Sequence, residues 1–240
     1  MTQQIERRAF VQLGGIASAG AALGAVLPLE SAAAQTGPSG AKPAAYSIKP
    51  LPFDPKTIKG LSEKILTSHY ENNYTGAVKR LGAIAEQLAG LDYATAPVFL
   101  VNGLKREELI AANSMILHEL YFAGLGEESR PGAALGEALA RDFGSVERWR
   151  AEFAAMGRAE GGGSGWVLLT WNPHDKRLIN TWAADHTTTL AGGQPILALD
   201  MYEHAYQMDY GAKAAAYVDA FMAAIRWANA DTLYERYSRG

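Results

Sequence analysis

The chain has 240 residues, of which 48% are hydrophobic and 20% charged, and its formal net charge is -3. This composition suits one or two globular domains, and the weak negative charge gives no indication of nucleic acid or an anionic membrane as a partner. The sequence has no cysteine, which excludes disulfides, thiolate metal sites and a cysteine nucleophile. Imidazole chemistry therefore depends on five histidines: His69, His118, His174, His186 and His204.

Residues 1–34 have the pattern of a twin-arginine export signal. Arg7 and Arg8 precede a weakly apolar run at 14–27, and small residues at 31–34 form a cleavage pattern. A membrane anchor is the first alternative, but the run is shorter than the roughly 20 residues of a spanning helix and poor in large side chains. A chance arginine pair is the second. We therefore expect export through the twin-arginine route, for example to the periplasm, with no stable membrane span.

Beyond a linker at residues 35–50, the pattern predicts a helical hairpin domain at 51–126 and an α+β domain at 127–240. In the hairpin, apolar residues recur at every third or fourth position from Leu61 to Leu88 and again from about 105 to 121. Two such helices joined by a short break pack against each other in antiparallel fashion.

The C-terminal domain is predicted to combine helices with short strands. The predicted helices lie at 133–143, 146–159 and 202–228, and the strands at 166–171, 178–182 and 195–199. His174 lies in the turn between the first two strands, where we expect it to be exposed. The predicted fold class is α+β: an N-terminal antiparallel helical hairpin followed by an α+β domain with a small three-stranded antiparallel sheet flanked by helices.

Asp200 and His204 form the sharpest local signal. Asp200 ends the third apolar strand and His204 follows four residues later, so that both side chains can converge on one point. A carboxylate with a neutral imidazole suits iron or manganese. By itself, the pair is a weak signal, because such a spacing is more often a capping carboxylate beside a packed histidine.

His69 and His118 lie among apolar positions in the middle of the two hairpin helices. Each can be a core histidine with satisfied hydrogen bonds. Two histidines that face each other in a core without partners would be costly, and a shared metal ion would remove that cost. Spacing alone does not distinguish iron from zinc.

Five segments, in order along the chain, resemble the iron/manganese superoxide dismutase family. Residues 200–206, Asp-Met-Tyr-Glu-His-Ala-Tyr, resemble the family signature Asp-x-Trp-Glu-His-Ala followed by Tyr or Phe. The other segments resemble the family's N-terminal start, its first-ligand helix, its second-ligand helix and its Gly-Ser-Gly-Trp strand entry. They are Leu51–Phe53, Leu61–Tyr70, Asn113–Tyr121 and Gly163–Trp166. The resemblance covers the chain from Leu51 to the C-terminus.

The resemblance implies dismutation of superoxide to dioxygen and hydrogen peroxide at one iron or manganese ion per subunit. The implied metal ligands are His69, His118, Asp200 and His204, with one solvent molecule as the fifth. Glu203 matches a family glutamate that bonds a ligand histidine of the partner subunit, so a homodimer is implied, and a tetramer stays open. The resemblance leaves the choice between iron and manganese open.

His186 matches the position of a Gln or His that, in the family, donates a hydrogen bond to the metal-bound solvent. The Ala184-Asp185-His186 segment resembles the Asp-His form of some members. The resemblance therefore implies a catalytic role for His186. The alternative is a histidine in a surface loop.

Several positions depart from the family pattern around the predicted site. Asn73 replaces a histidine, Ala77 a gateway tyrosine, Tyr202 a tryptophan and Gln207 a tyrosine, while Ser114 occupies a position that carries Gln in some iron enzymes. In the family, the residues at 73 and 207 pair across the dimer.

These departures lead to a hypothesis about the outer part of the site. We expect Ala77 to open a wider mouth and the inner metal chemistry to survive. We also expect Tyr70, Tyr74 or Tyr121 to take over the outer proton relay, and restoring Ala77→Tyr to raise or alter turnover.

Three functions remain in competition at this point. The first is superoxide dismutation. The second is an iron- or manganese-binding relative with weak dismutase activity and a different redox or hydrolytic substrate. The third is a metal-free interaction protein on the same scaffold, which the intact set of four candidate ligands disfavours.

Overall fold

The computed structural model describes residues 42–239. The export signal predicted at residues 1–34 lies outside this range. Residues 42–50 are exposed and have no regular secondary structure. A single 3-10 turn at Pro55–Thr57 precedes the helical part. No helix within 42–239 has the length and apolar character required to cross a membrane.

The N-terminal half is the expected antiparallel pair of helices. Its elements are α1 (Glu63–Ser68), a π-helical segment (His69–Tyr74), α2 (Thr75–Ala89) and α3 (Val98–Ala123). Ser62 caps α1, because its side chain accepts a hydrogen bond from the Ile65 amide. Leu81, Ile84 and Leu88 of α2 pack with Ala111 of α3. This apolar contact holds the two helices of the hairpin together.

The C-terminal half consists of helices around a three-stranded sheet. Its elements are α4 (Ala133–Phe143), α5 (Val146–Ala159), β1 (Trp166–Asn172), β2 (Arg177–Ala183), β3 (Gln194–Asp200), α6 (Gln207–Tyr210), α7 (Ala214–Ala223) and α8 (Ala228–Ser238). The strand order is β2-β1-β3 and both pairings are antiparallel. Pro195 is tolerated because β3 is an edge strand. The predicted α+β fold class is confirmed.

Three predicted element boundaries were wrong. The helix expected at 202–228 is divided into a short turn, α6 and α7, and α8 begins only at Ala228. Gly211, with φ of +54°, follows α6. Helix α3 begins at Val98 rather than near 105, because Pro97 is acceptable just before the first helical residue. The first hairpin helix contains the π-helical segment, which the apolar periodicity did not reveal.

One main hydrophobic core joins the two halves. It includes Ile65 and Tyr121 from the hairpin and Leu199 and Phe221 from the part that carries the sheet. The C-terminal end of β3 therefore lies against the middle of the hairpin. This junction brings Asp200 to the two helices that carry His69 and His118.

Candidate metal centre

Four of the predicted residues meet at the junction between the hairpin and the sheet. One ligand atom from each of His69, His118, Asp200 and His204 lies within 4.8 Å of the others. The first three side chains are buried and His204 is 27% exposed. They come from the π-helical segment, α3, the end of β3 and the turn after it, so four different elements form the cluster.

The cluster is centred on one carboxylate oxygen. Asp200 Oδ2 lies 3.1 Å from His69 Nε2, 3.1 Å from His204 Nε2 and 3.7 Å from His118 Nε2. Both ring nitrogens of His69 and Nε2 of His118 are buried without a hydrogen-bond partner among the described residues. Unpartnered buried polar atoms are costly, and a shared cation would satisfy them. Three imidazole nitrogens and one carboxylate oxygen suit iron or manganese.

Burial lowers the pKa of two histidines in this cluster, that of His69 and that of His118, the latter to about 3. Burial acts in the same direction on His204, but the Asp200 carboxylate outweighs it and raises the pKa of His204. Burial alone would raise the pKa of Asp200, but the adjacent rings of His204 and His69 outweigh it and hold that pKa well below its usual range. The centre therefore offers neutral imidazoles on His69 and His118 beside an anionic carboxylate, which is the ligand form of each group.

Hydrogen bonds aim two of these side chains at the centre. His118 Nδ1 donates to the Ser114 carbonyl at 2.6 Å, which leaves the lone pair of Nε2 facing the cluster. Asp200 Oδ1 accepts from the Tyr202 amide at 2.8 Å, and the Asp200 carbonyl accepts from the Tyr217 hydroxyl at 2.7 Å. Only Oδ2 of Asp200 is thereby directed at the histidines.

His186 lies beside the cluster, half-buried and held at both ends. Trp166 Nε1 donates to its Nδ1 at 3.0 Å, and Asn113 Nδ2 donates to its backbone carbonyl at 2.5 Å. Its ring centroid is 6.2 Å from that of His118. Because Nδ1 accepts a hydrogen bond, the neutral ring carries its proton on Nε2. These contacts do not fit the alternative of a histidine in a free surface loop.

Tyr202 fills the space between His186 and His204. Its ring is stacked on His186 at a centroid distance of 4.9 Å and on His204 at 5.4 Å, each with an interplanar angle of 17°. Tyr202 was noted in the sequence only as a departure from the family pattern. Trp166 and Tyr217 were not predicted as site residues, since no local pattern gives the partner of an indole N–H or of a phenol.

Comparison with known proteins agrees with this geometry. The family model for the C-terminal domain of iron/manganese superoxide dismutases matches residues 131–233. An iron superoxide dismutase of Cupriavidus metallidurans is 68% identical over 189 residues, which cover 79% of this chain and 96% of the relative. The chain belongs to the iron/manganese superoxide dismutase family.

The more distant relatives include proteins named as manganese superoxide dismutases and proteins named as iron superoxide dismutases. A manganese superoxide dismutase of Halobacterium salinarum is 36% identical over 188 residues, covering 76% of this chain and 91% of the relative. An iron superoxide dismutase of Aquifex pyrophilus is 32% identical over 193 residues, covering 77% and 88%. The predicted family is thus confirmed, as is a cofactor that is either iron or manganese.

The outer tyrosines of this family member are engaged elsewhere. The Tyr70 hydroxyl donates to the Lys49 carbonyl at 2.8 Å, and the Tyr74 hydroxyl donates to Glu119 Oε1 at 3.1 Å. Within residues 42–239, neither hydroxyl has a hydrogen bond to the four-residue cluster. Tyr121 does approach it, since its ring centroid lies 5.0 Å from that of His69. The relay role of these tyrosines stays a prediction.

Ala77 is 8% exposed and lies in the buried face of α2. The wider mouth expected at this position stays a prediction. Ser114 is also buried, and its hydroxyl lies 3.3 Å from His118 Nδ1. Asn73 is half-buried, whereas Gln207 is exposed.

Two predictions concern residues at the surface of one chain. Glu203, the predicted link across a dimer, is exposed, as its predicted role in binding a second subunit requires. His174 has a side chain that is 92% exposed, which confirms the prediction of an exposed turn.

Proposed function

We propose that the chain catalyses the dismutation of superoxide to dioxygen and hydrogen peroxide at one iron or manganese ion held by His69, His118, Asp200 and His204. The observation that carries the proposal is the convergence of three imidazole nitrogens on one buried carboxylate oxygen, with ring nitrogens of His69 and His118 left unpartnered. The 68% identity to a protein named as an iron superoxide dismutase supports the same reaction.

Bound iron or manganese would supply the one-electron exchange with superoxide. The chain itself supplies position and protons, since two superoxide anions and two protons give one dioxygen and one hydrogen peroxide. His186 presents an N–H at Nε2 because Trp166 occupies Nδ1. Asn113 fixes the backbone of His186, so the imidazole is held before substrate arrives.

The alternative of weak dismutation with a different substrate receives less support. It depended on an opened funnel at Ala77, and that side chain is buried. The four candidate ligands are all in place and directed inward, which also disfavours a metal-free interaction protein. Dismutation is therefore the function that we propose.

The decisive experiment measures metal and reaction on the same sample. Metal content is quantified in the purified protein, and superoxide decay per bound metal is followed by absorbance. We expect decay that scales with iron or manganese and is lost, together with the metal, in His118→Ala. His174→Ala is the matched control, since the His174 side chain is exposed and pairs with the exposed Asp175. Full iron or manganese occupancy without decay would contradict the proposed reaction while leaving the site intact.

We further propose that the working form is a homodimer linked through Glu203. Glu203 is exposed and its neighbour His204 is 27% exposed in one chain, so a second copy has access to both. Sedimentation of wild type and Glu203→Gln tests this. We expect a dimer for wild type and a larger monomer fraction for the variant. A monomeric wild type with full activity would rule out the dimer as the working form.

We also propose export through the twin-arginine route, in keeping with the pattern at residues 1–34. That route carries folded proteins, so the metal would be loaded before the chain meets copper and zinc, which bind such sites more tightly. N-terminal sequencing of the secreted protein should place cleavage near Ala34. The double change Arg7→Lys and Arg8→Lys should retain the uncleaved chain in the cytoplasm.

A further inference from the structure

A cavity of about 420 Å³ lies beside the hairpin helix α3. Its walls come from the Lys49–Pro52 stretch, α3, the start of β3 and α8. The apolar walls are formed by Pro50, Leu51, Pro52, Ile116, Leu120, Phe122, Ala123, Pro195 and Leu233. None of the four candidate metal ligands lines the cavity, and its volume falls within the range of small-molecule pockets.

The cavity has one charged end. Glu119 is the only acidic side chain among its lining residues and Lys49 the only basic one. Glu119 Oε1 accepts from the Tyr74 hydroxyl at 3.1 Å, and Glu119 Oε2 accepts from Lys49 Nζ at 2.5 Å. An apolar chamber that ends at a carboxylate favours a ligand with an apolar body and a positive charge.

Aromatic rings surround this end. The ring centroids of Tyr70 and Tyr74 are 5.4 Å apart, and they lie 6.0 and 6.3 Å from the centroid of Phe122. Tyr237 also lines the cavity. Faces of such rings attract ammonium groups, more strongly when water is excluded. The rings and the carboxylate therefore favour the same sign of charge.

The ammonium group that now pairs with Glu119 is easily replaced. The Lys49 side chain is 67% exposed, and exposed ion pairs contribute little to stability. The Lys49 backbone is held independently, because its amide donates to the Tyr74 hydroxyl and its carbonyl accepts from Tyr70. The Lys49 side chain can thus swing into solvent while the wall of the cavity stays in place.

We propose that this cavity is a binding site for a small organic cation, a protonated primary amine on an aromatic or short apolar body. The ammonium group takes the place of Lys49 Nζ on Glu119, and the apolar body lies against Phe122 and Leu233. A neutral analogue forms no ion pair with Glu119. An anionic analogue is repelled by it.

Calorimetric titration of the full chain with phenethylamine, 2-phenylethanol and phenylacetate tests the proposal. We expect phenethylamine to bind at least about tenfold more tightly than the alcohol, the scale of a charge-assisted hydrogen bond, and phenylacetate not to bind. Glu119→Gln should erase the preference for the amine over the alcohol. Lys49→Met should strengthen amine binding about threefold by removing the competing ammonium group, whereas Lys56→Met, an exposed lysine outside the cavity, should not.

A second variant locates the site independently of Glu119. Leu233→Trp fills the cavity and leaves the carboxylate unchanged, so it should abolish binding of both the amine and the alcohol. Circular dichroism confirms that each variant is folded. The proposal is overturned if phenethylamine fails to bind the wild-type chain at millimolar concentration, if it binds Glu119→Gln as well as wild type, or if the folded Leu233→Trp variant still binds it.

Discussion

Asp209 accepts two hydrogen bonds from Ser62, 147 positions earlier in the chain, one from the Ser62 amide and one from its hydroxyl, each 2.7 Å long. The same hydroxyl caps α1 by accepting from the Ile65 amide at 3.1 Å. Helix α1 runs directly into His69, and Asp209 lies shortly after His204. The contact therefore fixes the segment that carries one candidate ligand to the segment that carries another.

We expect Asp209→Ala to lower the free energy of unfolding by about 1–3 kcal/mol, since two hydrogen bonds to a charged group are lost. Urea denaturation measures the change. Asp219→Ala is the control, because Asp219 forms only a surface pair with Arg158 and should cost less than about 1 kcal/mol. Equal losses of unfolding free energy in the two variants would show that the contact with Ser62 stabilises the fold no more than a surface ion pair does.

The Tyr217 hydroxyl is the next target, because it donates to the backbone carbonyl of Asp200 inside the core. Tyr217→Phe keeps the ring and leaves that buried carbonyl without this donor, at a cost of about 1–3 kcal/mol. We expect metal affinity to fall about tenfold, because the backbone that positions the Asp200 carboxylate loses this hydrogen bond. Competition with a chelator measures this loss. Tyr206→Phe is the control. It removes the hydroxyl from a ring whose centroid lies 5.3 Å from that of Tyr217, and the variant should retain the metal.

Glu160 should make stability depend on pH. It is 8% exposed, neither of its carboxylate oxygens has a hydrogen-bond partner among the described residues, and burial raises its pKa from 4.5 to about 7. Between these two values the unfolded chain loses the proton while the folded chain keeps it. Stability therefore falls as pH rises through this window, and above pH 7 the loss is complete.

Glu160→Gln removes this dependence, because an amide stays neutral. Relative to wild type, we expect the variant to gain up to about 3 kcal/mol between pH 4 and pH 8. Urea denaturation at both values provides the comparison. Glu152→Gln, which changes an exposed carboxylate on α5, the helix that Glu160 follows, is the control and should show no such gain. A wild-type stability that rises from pH 5 to pH 8 relative to Glu160→Gln would contradict the argument.

Trp166 is expected to act through His186. Trp166→Phe removes the N–H that holds His186 Nδ1 as an acceptor. Superoxide turnover per bound metal should fall about 10- to 100-fold, while metal content is retained. Trp149→Phe is a close control, because Trp149 is also fully buried and also loses a hydrogen bond, to Asn180. If the Trp149 variant loses as much turnover per metal, a general loosening of the core explains both results.

Much of the fold was predictable because apolar periodicity is strong in α2 and α5 and because continuous apolar runs mark β1 and β3. The helix predicted at 202–228 failed because its apolar residues keep a helical spacing across Gly211, where the backbone turns. The π-helical segment at His69–Tyr74 was missed for a related reason. One extra residue per turn changes which side chains share a face, and composition does not record it.

The candidate ligands were predictable and their supports were not. Asp200 and His204 are close in sequence, and His69 and His118 are ionisable side chains among apolar neighbours. All four therefore stand out in the sequence as candidate ligands. The contacts of Trp166 with His186 and of Tyr217 with Asp200 join residues from distant elements. Such partners depend on how the sheet packs against the hairpin, which only the folded chain determines.

The candidate centre draws His69 and His118 from the hairpin and Asp200 and His204 from a segment near the C-terminal end. A growing chain therefore exposes the first two imidazoles long before the other two groups exist. Two histidines on an incompletely folded hairpin form a partial metal site with little selectivity among metal ions. The four-ligand centre is therefore complete only after β3 has been synthesised and has joined the sheet.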